Sequence, residues 1–598
     1  MPQPLHALLA AALLAALPHA PTRAAQPDHA LATESERSGF LRTGRYEEVL
    51  RLCDAYAARW PEAVRCETFG TTPEGRPMVA LVASRSGALT PEAARAQGLP
   101  VTLFQGGIHP GEADGKDAGF LALRELLEGE AAAGALERQV VLFVPMFNAD
   151  GHERFGRYNR PNQRGPEEMG WRTTAQNHNL NREYVKADAP EMQAMQAFMQ
   201  RWDPLLLVDL HATNGAQFEH DISIQVEPLK AGDPALREVG LALRTGTIER
   251  LAAHGSLPLE FYPSFVVSDD PTSGFEDGVP TGRFSHGFMP LVNRLGMLVE
   301  THSWKPYPER VRATRNTIVA VAEQMQAQGA AWRRIADAAD DRARRLGGSR
   351  VPLTWAVTDT ARTIDFRGYA YTRTQSEVSG ALMTRYDETT PQVWRVPLRE
   401  EVVPEIVVTA PRGGYVVPAA HAERVAAKLR QHGIAFSRLE RAHPEAPTET
   451  FRAERVSFAP RSVEARQPVQ LAGSWSREPR DVPAGSLYVP IAQPRARLVM
   501  ELLEPQAPDS LAAWGDFNIA FERKEYMEAY VAEDVAREML EDPAVRREFE
   551  TRLAEDPEFA ASPSARLEFF YRRHSSWDER LNLYPVFRVD AALERASR

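Results

Sequence analysis

Two cysteines, Cys53 and Cys66, are all that this 598-residue chain contains. So few thiols exclude a four-cysteine structural zinc site and any disulfide-stapled miniature fold. No run of Lys and Arg stands out, and the formal net charge is -11. That balance offers no basic face to a nucleic-acid backbone or to anionic lipid. Beyond the first twenty residues, no stretch is apolar for long enough to form a transmembrane helix. Fixed-period repeats and low-complexity tracts are absent as well. What remains is an ordinary globular composition, long enough for two or more domains, whose natural partners are small substrates or peptides.

The N-terminus reads "MPQPLHALLAAALLAALPHAPTRAAQ". Its unbroken apolar run, Ala7 to Leu17, is too short to span a bilayer and fits the hydrophobic core of a secretory signal peptide. Removal of residues 1–25, by cleavage after Ala24 or Ala25, is expected, with a periplasmic or secreted destination. In such a compartment a bridge between Cys53 and Cys66 is permitted. Two buried free thiols are the alternative, and the spacing does not choose between them.

Helical stretches then alternate with short, almost wholly apolar strands. "PMVALVAS", "VTLF", "VVLFVPMF", "LLLVDLH" and "MLVETHS" read as strands buried on both faces. "DAGFLALRELLEGE" puts Phe120, Leu123 and Leu127 on one helical face. Asp114 and Asp117 are expected to cap that helix, and Asp188 with Glu191 to cap the helix in "DAPEMQAMQAFMQRW". The alternation predicts a three-layer α/β/α domain over residues 40–346, with a mixed, mostly parallel sheet. Residues 350–505 are rich in Val, Thr, Arg and Pro and predict a β-rich accessory domain. Residues 506–598 read as mostly helical, with Met527, Tyr530, Val531 and Val535 as packing positions.

Polar residues gather at the ends of three strands. His109 and Glu112, in "HPGE", follow "VTLF"; His211 ends "LLLVDLH"; Glu300 closes "LGMLVE". In open α/β sheets the binding crevice lies outside the carboxyl ends of the strands, so the three deliver imidazole and carboxylate groups to one rim. Two His and one Glu are the ligand set of a catalytic zinc, which keeps a position open for water. By itself "HPGE" reads equally as a polar turn before a helix. The loop "GWRTTAQNHNLNREY" adds Arg172, Asn181 and Arg182. Arginine's planar fork binds carboxylates in two-point fashion and stabilises oxyanions near a metal.

The ordered set His109-x-x-Glu112, Trp-Arg172, Asn181-Arg182, His211 at a strand end and Glu300 on a strand resembles the zinc carboxypeptidases of the carboxypeptidase A type, the M14 family. The opening "YEEVLRLCDAYAARWPEAVRCETFGTTPEGRPMVALVAS" is similar to that family's first helix and hairpin, and the likeness covers about residues 40–330. It implies one Zn2+ per chain held by His109, Glu112 and His211. It implies Glu300 as the general base that activates the zinc-bound water, and Arg172 as the group that polarises the scissile carbonyl. Asn181 and Arg182 would hold the substrate's terminal carboxylate. The partner implied is a peptide or peptide-like molecule with a free carboxylate, and the activity that of a metallocarboxypeptidase.

Two positions depart from the family pattern. Asn179 stands where the digestive members have an aspartate that accepts the ring proton of the first histidine, and an amide oxygen makes a weaker orienting partner. The segment "SGFEDGVPTGRFSHGFMPLV" before Glu300 lacks the family's loop tyrosine. Tyr262 lies further upstream, so Arg283 or His286 is expected on that side of the pocket. Asp209, two residues before His211 on its strand, is expected behind the ligands. His178, His220 and His302 are expected outside the ligand set. The alternative functions are a zinc-dependent deacylase of N-acyl amino acids on the same fold and a non-catalytic cell-surface binding protein.

Overall fold

The computed structural model describes residues 30–593. The expected signal peptide lies outside the described residues. An eight-stranded sheet organises the first half, and its strands are β1 (Val64–Thr71), β2 (Pro77–Ala83), β3 (Val101–Gly106), β4 (Val140–Val144), β5 (Leu206–Thr213), β6 (Ile222–Glu227), β7 (Pro258–Leu259) and, after a two-residue strand β8 (Phe275–Glu276) that pairs elsewhere, β9 (Leu295–His302). Their spatial order is β1-β2-β4-β3-β5-β9-β6-β7. The central run β4-β3-β5-β9 is parallel, while β1, β2 and β6 pair antiparallel at its flanks. Every residue of β3, β4, β5 and β9 is buried, which is why these strands read as continuous apolar runs.

Helices cover both faces, giving the three-layer α/β/α arrangement predicted. Phe120, Leu123 and Leu127 of the helix Asp114–Glu128 pack with Ile318, Val319 and Val321 of the long helix Tyr307–Ala343 on one side. Met192, Met195 and Phe198 of the helix Pro190–Trp202 cover the other. Cys53, on the helix Tyr46–Arg59, and Cys66, on β1, form a disulfide with a Cα separation of 5.4 Å. The bridge ties the first helix to the sheet edge.

The expected acidic caps are not formed. Ala113 and Ala189 occupy the two N-cap positions without side-chain hydrogen bonds. Asp114 instead pairs with Arg310 at 3.0 Å, and Asp117 hydrogen-bonds to Thr43 at 2.7 Å. Asp188 turns outward to Arg466 and Lys428. Long-range arginines and a lysine outcompete the local amides for Asp114 and Asp188, because a charge-assisted pair outweighs a neutral cap.

Beyond residue 350, the strands Arg362–Gln375 and Leu382–Arg399 form a long antiparallel hairpin whose last residues pair in parallel with β8. Its Phe366 and Trp394 pack against Phe218, Phe261 and Phe275, so this hairpin walls the first half of the chain. A six-stranded sheet follows, in which the late strand Phe587–Val589 lies between Gly414–Val417 and Thr448–Phe458. Residues 504–528 bury Leu511, Trp514 and Phe517 in turns, and regular helix begins only at Ala529. There the expected packing face is displaced: Tyr530 is 73% exposed, Ala532 is buried, and Ala536 packs in the small core of Phe559, Phe569 and Phe570. Small side chains let that helix approach the aromatic cluster closely. Among the described residues no helix is long and apolar enough to cross a membrane.

Candidate metal centre and substrate cleft

His109 and Glu112 sit in the turn that leaves β3, closed by the Glu112 amide donating to the His109 carbonyl at 2.9 Å. Gly111 between them is required by close approach, since a Cβ there would stand 2.5 Å from Arg160 Cγ and 2.8 Å from the Gly170 carbonyl oxygen. His211 and Glu300 are register partners on β5 and β9. His109, Glu112 and His211, all buried, bring one donor atom each to within 4.8 Å of one another.

The tautomers follow from the partners. Asn179 Oδ1 accepts the Asn181 backbone N–H at 3.1 Å, which fixes the amide's orientation. The same oxygen lies 3.1 Å from His109 Nε2 and so takes its proton. His109 is neutral, its pKa lowered to about 4 by burial. Its Nδ1 lone pair therefore faces Glu112 Oε1 at 3.0 Å, acceptor against acceptor. A cation held by these two residues would make that contact favourable. Across the site, His211 Nδ1 lies 2.9 Å from Glu112 Oε2, and its Nε2 lies 2.9 Å from Asp209 Oδ2. Burial opposes a charge on His211, but Asp209 and Glu112 on either side hold its pKa well above the usual value. Two imidazoles, each oriented by an oxygen behind it, and a carboxylate are the chemistry of a zinc site, and these residues fit the ion.

Behind Asp209 the support continues. Gln105 Nε2 donates to Asp209 Oδ1 at 2.8 Å, and Tyr184 donates its hydroxyl to Gln105 Oε1 at 2.9 Å. Glu112 itself is held ionised: burial works against the charge, but the Arg160 guanidinium at 2.9 Å and the hydrogen bond from His211 keep its pKa well below the carboxylate range. Arg160 is only 7% exposed, donates to the Ala212 carbonyl beside His211 at 3.0 Å, and carried no signal in the sequence, since it lies in an irregular loop outside every motif.

These groups open into a cleft of about 400 Å³, also lined by Arg172, Asn181, Arg182, Gln225, Tyr262 and Glu300 among others. Arg172 lies 3.8 Å from Glu112 Oε1 and faces the opening, with its side chain 38% exposed. Arg182 stacks on Phe284, 4.6 Å from the ring centroid, and donates to the Asn181 carbonyl at 2.7 Å. Asn181 Oδ1 is buried without a hydrogen-bond partner. Glu300 Oε2 likewise has none, and burial pushes the pKa of this carboxyl up to about 8.

The expectation for the tyrosine side is corrected in part. His286 does line the cleft, but Arg283 turns away to Asp509 at 2.7 Å. Tyr262 occupies the cleft instead, its hydroxyl oxygen accepting from Thr213 Oγ1 at 2.8 Å. The loop after β7 folds back because Phe261 and Phe265 pack on Phe275 beneath the accessory hairpin. His178 is drawn toward Glu183 at 3.7 Å, and His220 and His302 are bound to the backbone carbonyls of Leu257 and Ala216, so none of the three joins the cluster.

Residues 49–223 match the family model described as zinc carboxypeptidase, peptidase M14. That match, with the sheet and the ordered cluster, makes residues 49–223 similar to the zinc carboxypeptidases and supports an enzyme that hydrolyses peptide bonds. A carboxypeptidase 2 from Trichophyton tonsurans is 23% identical over 461 residues, covering 74% of this chain and 78% of that protein. Among solved structures, a putative carboxypeptidase A from Shewanella denitrificans is 18% identical, with a TM-score of 0.36 over 48% of this chain and 70% of that one. A metallo-carboxypeptidase from Pseudomonas aeruginosa, in complex with (2-guanidinoethylmercapto)succinic acid, is 16% identical, with a TM-score of 0.35 over 48% of this chain and 69% of that one.

Proposed function

We propose that this protein is an exported zinc metallocarboxypeptidase that removes the C-terminal residue of peptides. The observation that carries the reading is the pairing of a three-donor cluster with a buried carboxylate, Glu300, whose Oε2 has no hydrogen-bond partner, in a cleft also lined by Asn181 and Arg182. Zinc held by His109, Glu112 and His211 would supply Lewis acidity and acidify a water. Glu300 then takes the proton of the attacking water and passes it to the leaving amine, and burial suits it to both because its pKa lies closer to neutrality than an ordinary carboxyl's. Arg172, exposed at the rim beside Glu112, supports the oxyanion that develops on the scissile carbonyl. Asn181 and Arg182 anchor the substrate's terminal carboxylate, with Phe284 fixing the guanidinium plane. Tyr262 lines the same cleft, its hydroxyl held by Thr213 at 2.8 Å.

The curated relative is a carboxypeptidase, which supports the same reading. Export is supported by the apolar N-terminal run and by the Cys53–Cys66 bridge. The deciding experiment incubates the zinc-loaded chain with a mixed peptide library and, separately, with N-acylated amino acids. Stepwise shortening from the C-terminus supports the proposal. Turnover confined to the acylated amino acids makes it a deacylase, and internal cleavage makes it an endopeptidase.

A further inference from the structure

The strands Thr448–Phe458 and Val469–Arg477 are joined by a loop that ends in a tight turn, Val463 to Arg466. Reciprocal backbone bonds close it, with Val463 N–H to Arg466 O at 2.8 Å and Arg466 N–H to Val463 O at 3.0 Å. Its two central residues, Glu464 and Ala465, have φ of 47° and 63°. A two-residue turn with both positions left-handed is the geometry that Asn-Gly adopts readily. Glu and Ala adopt it only against steric resistance, and backbone strain of that kind persists where the surrounding structure enforces it for a purpose.

The strained turn lies against the loop that carries the carboxylate-anchoring pair. Glu464 Oε2 accepts the backbone N–H of Asn179 at 3.4 Å. The neighbouring Arg466 grips Asp188 with two nitrogens, at 2.8 and 2.7 Å. From the helix Ala419–Gln431, Lys428 reaches the same carboxylate at 2.9 Å and the Ala187 carbonyl at 3.1 Å. His432 donates to the Val185 carbonyl at 2.7 Å. The segment from Asn179 to Asp188 is thus held from outside by side chains 240 to 285 residues later in the chain.

Asn179 is also the residue whose Oδ1 accepts the Nε2–H of His109. We infer that Glu464, presented by this strained turn of the C-terminal half, is a positioning residue for the metal centre: it fixes Asn179, and through Asn179 the ring of His109. The inference rests on the zinc reading above and gives the second half of the chain a part in the site. Direct hydrogen-bond partners of metal-ligating histidines typically contribute tenfold or more to metal affinity, and a residue one step further out acts through the same orientation.

The test uses the full chain stripped of metal and titrated with Zn2+ against a competing chelator, with thermal unfolding of each apoprotein alongside. The double variant Glu464→Asn/Ala465→Gly gives the turn its preferred residues while shortening the side chain by one methylene, out of reach of Asn179. It is expected to unfold at the same temperature as the parent or higher, yet to bind Zn2+ roughly fivefold to tenfold more weakly. Glu464→Gln keeps an acceptor oxygen at the same reach and is expected to stay within about twofold of the parent. An unchanged Zn2+ affinity in the double variant overturns the inference, and so does a loss in Glu464→Gln as large as in the double variant. A parent chain that binds no Zn2+ overturns the metal reading itself, a result distinct from either.

Discussion

His211 and Glu300 are register partners on neighbouring parallel strands, with Asp209 and Leu298 paired two residues earlier on the same face. Side chains in register on adjacent strands project to the same side of a sheet. The sheet therefore sets the proposed ligand and the proposed base side by side with no loop involved, and Asp209 falls behind His211 by the same two-residue period. Activity and metal affinity consequently share one rigid support.

That support buries Glu300 without a hydrogen-bond partner for Oε2, and burial raises its pKa from 4.5 to about 8. A base works only when ionised, so kcat/KM is expected to fall as pH is lowered, with a midpoint above the ordinary carboxylate value. A pH profile with the zinc-loaded enzyme checks this. A profile flat down to the ordinary carboxylate range contradicts it.

Arg160 places a buried guanidinium 2.9 Å from Glu112 Oε1. In Arg160→Gln the Glu112 carboxylate loses its nearest fixed cation, and removing one partner of a buried pair costs about 3 kcal/mol. Zinc held by Glu112 would return positive charge to that carboxylate, so the increase in Tm on adding Zn2+ is expected to be larger in Arg160→Gln than in the parent. Equal increases in the two proteins would show that Arg160 is not coupled to the centre.

Arg182, flattened on Phe284, is assigned to the substrate's terminal carboxylate. Amidating the C-terminus of a good peptide substrate is expected to lower kcat/KM by roughly tenfold to a hundredfold, the scale of a charge-assisted hydrogen bond. In Arg182→Met the two substrates are expected to react at similar rates. Persistence of the full preference in that variant removes Arg182 from the role.

Glu227, buried at the end of β6, has a pKa raised to about 7, chiefly by burial, with the Leu229 amide at 2.9 Å as its backbone donor. Its folded-state value lies above its unfolded value, so the fold favours the protonated form. The stability this carboxyl contributes is complete below the unfolded value of 4.5 and is lost as pH rises through about 7. Glu227→Gln keeps a carbonyl acceptor and is expected to recover up to about 3 kcal/mol at alkaline pH relative to the parent, with little difference under acid conditions. Denaturant unfolding at both pH values checks the sign.

The layered sheet and the polar set at its strand ends were legible because both depend on short-range pattern. Strands buried on both faces must be apolar throughout, and His109, Glu112, His211 and Glu300 sit at strand ends that the pattern already marks. Arg160, Tyr262 and Glu464 were not legible. Arg160 lies in an irregular loop, Tyr262 is folded back by aromatic contacts with Phe275 and the accessory hairpin, and Glu464 arrives from 285 residues away. Likewise Asp188 looked like a helix cap because its partners, Arg466 and Lys428, are invisible at short range.

The central claim is that Glu300 is the base of a zinc peptidase, and Glu300→Gln tests it most directly, by zinc content and peptide hydrolysis measured on the same preparation. The substitution keeps the shape and leaves His109, Glu112 and His211 untouched. The account predicts one Zn2+ per chain as in the parent and a loss of kcat of at least about a hundredfold, the low end of what a positioned base contributes. Hydrolysis at the parent's rate with zinc in place would contradict it.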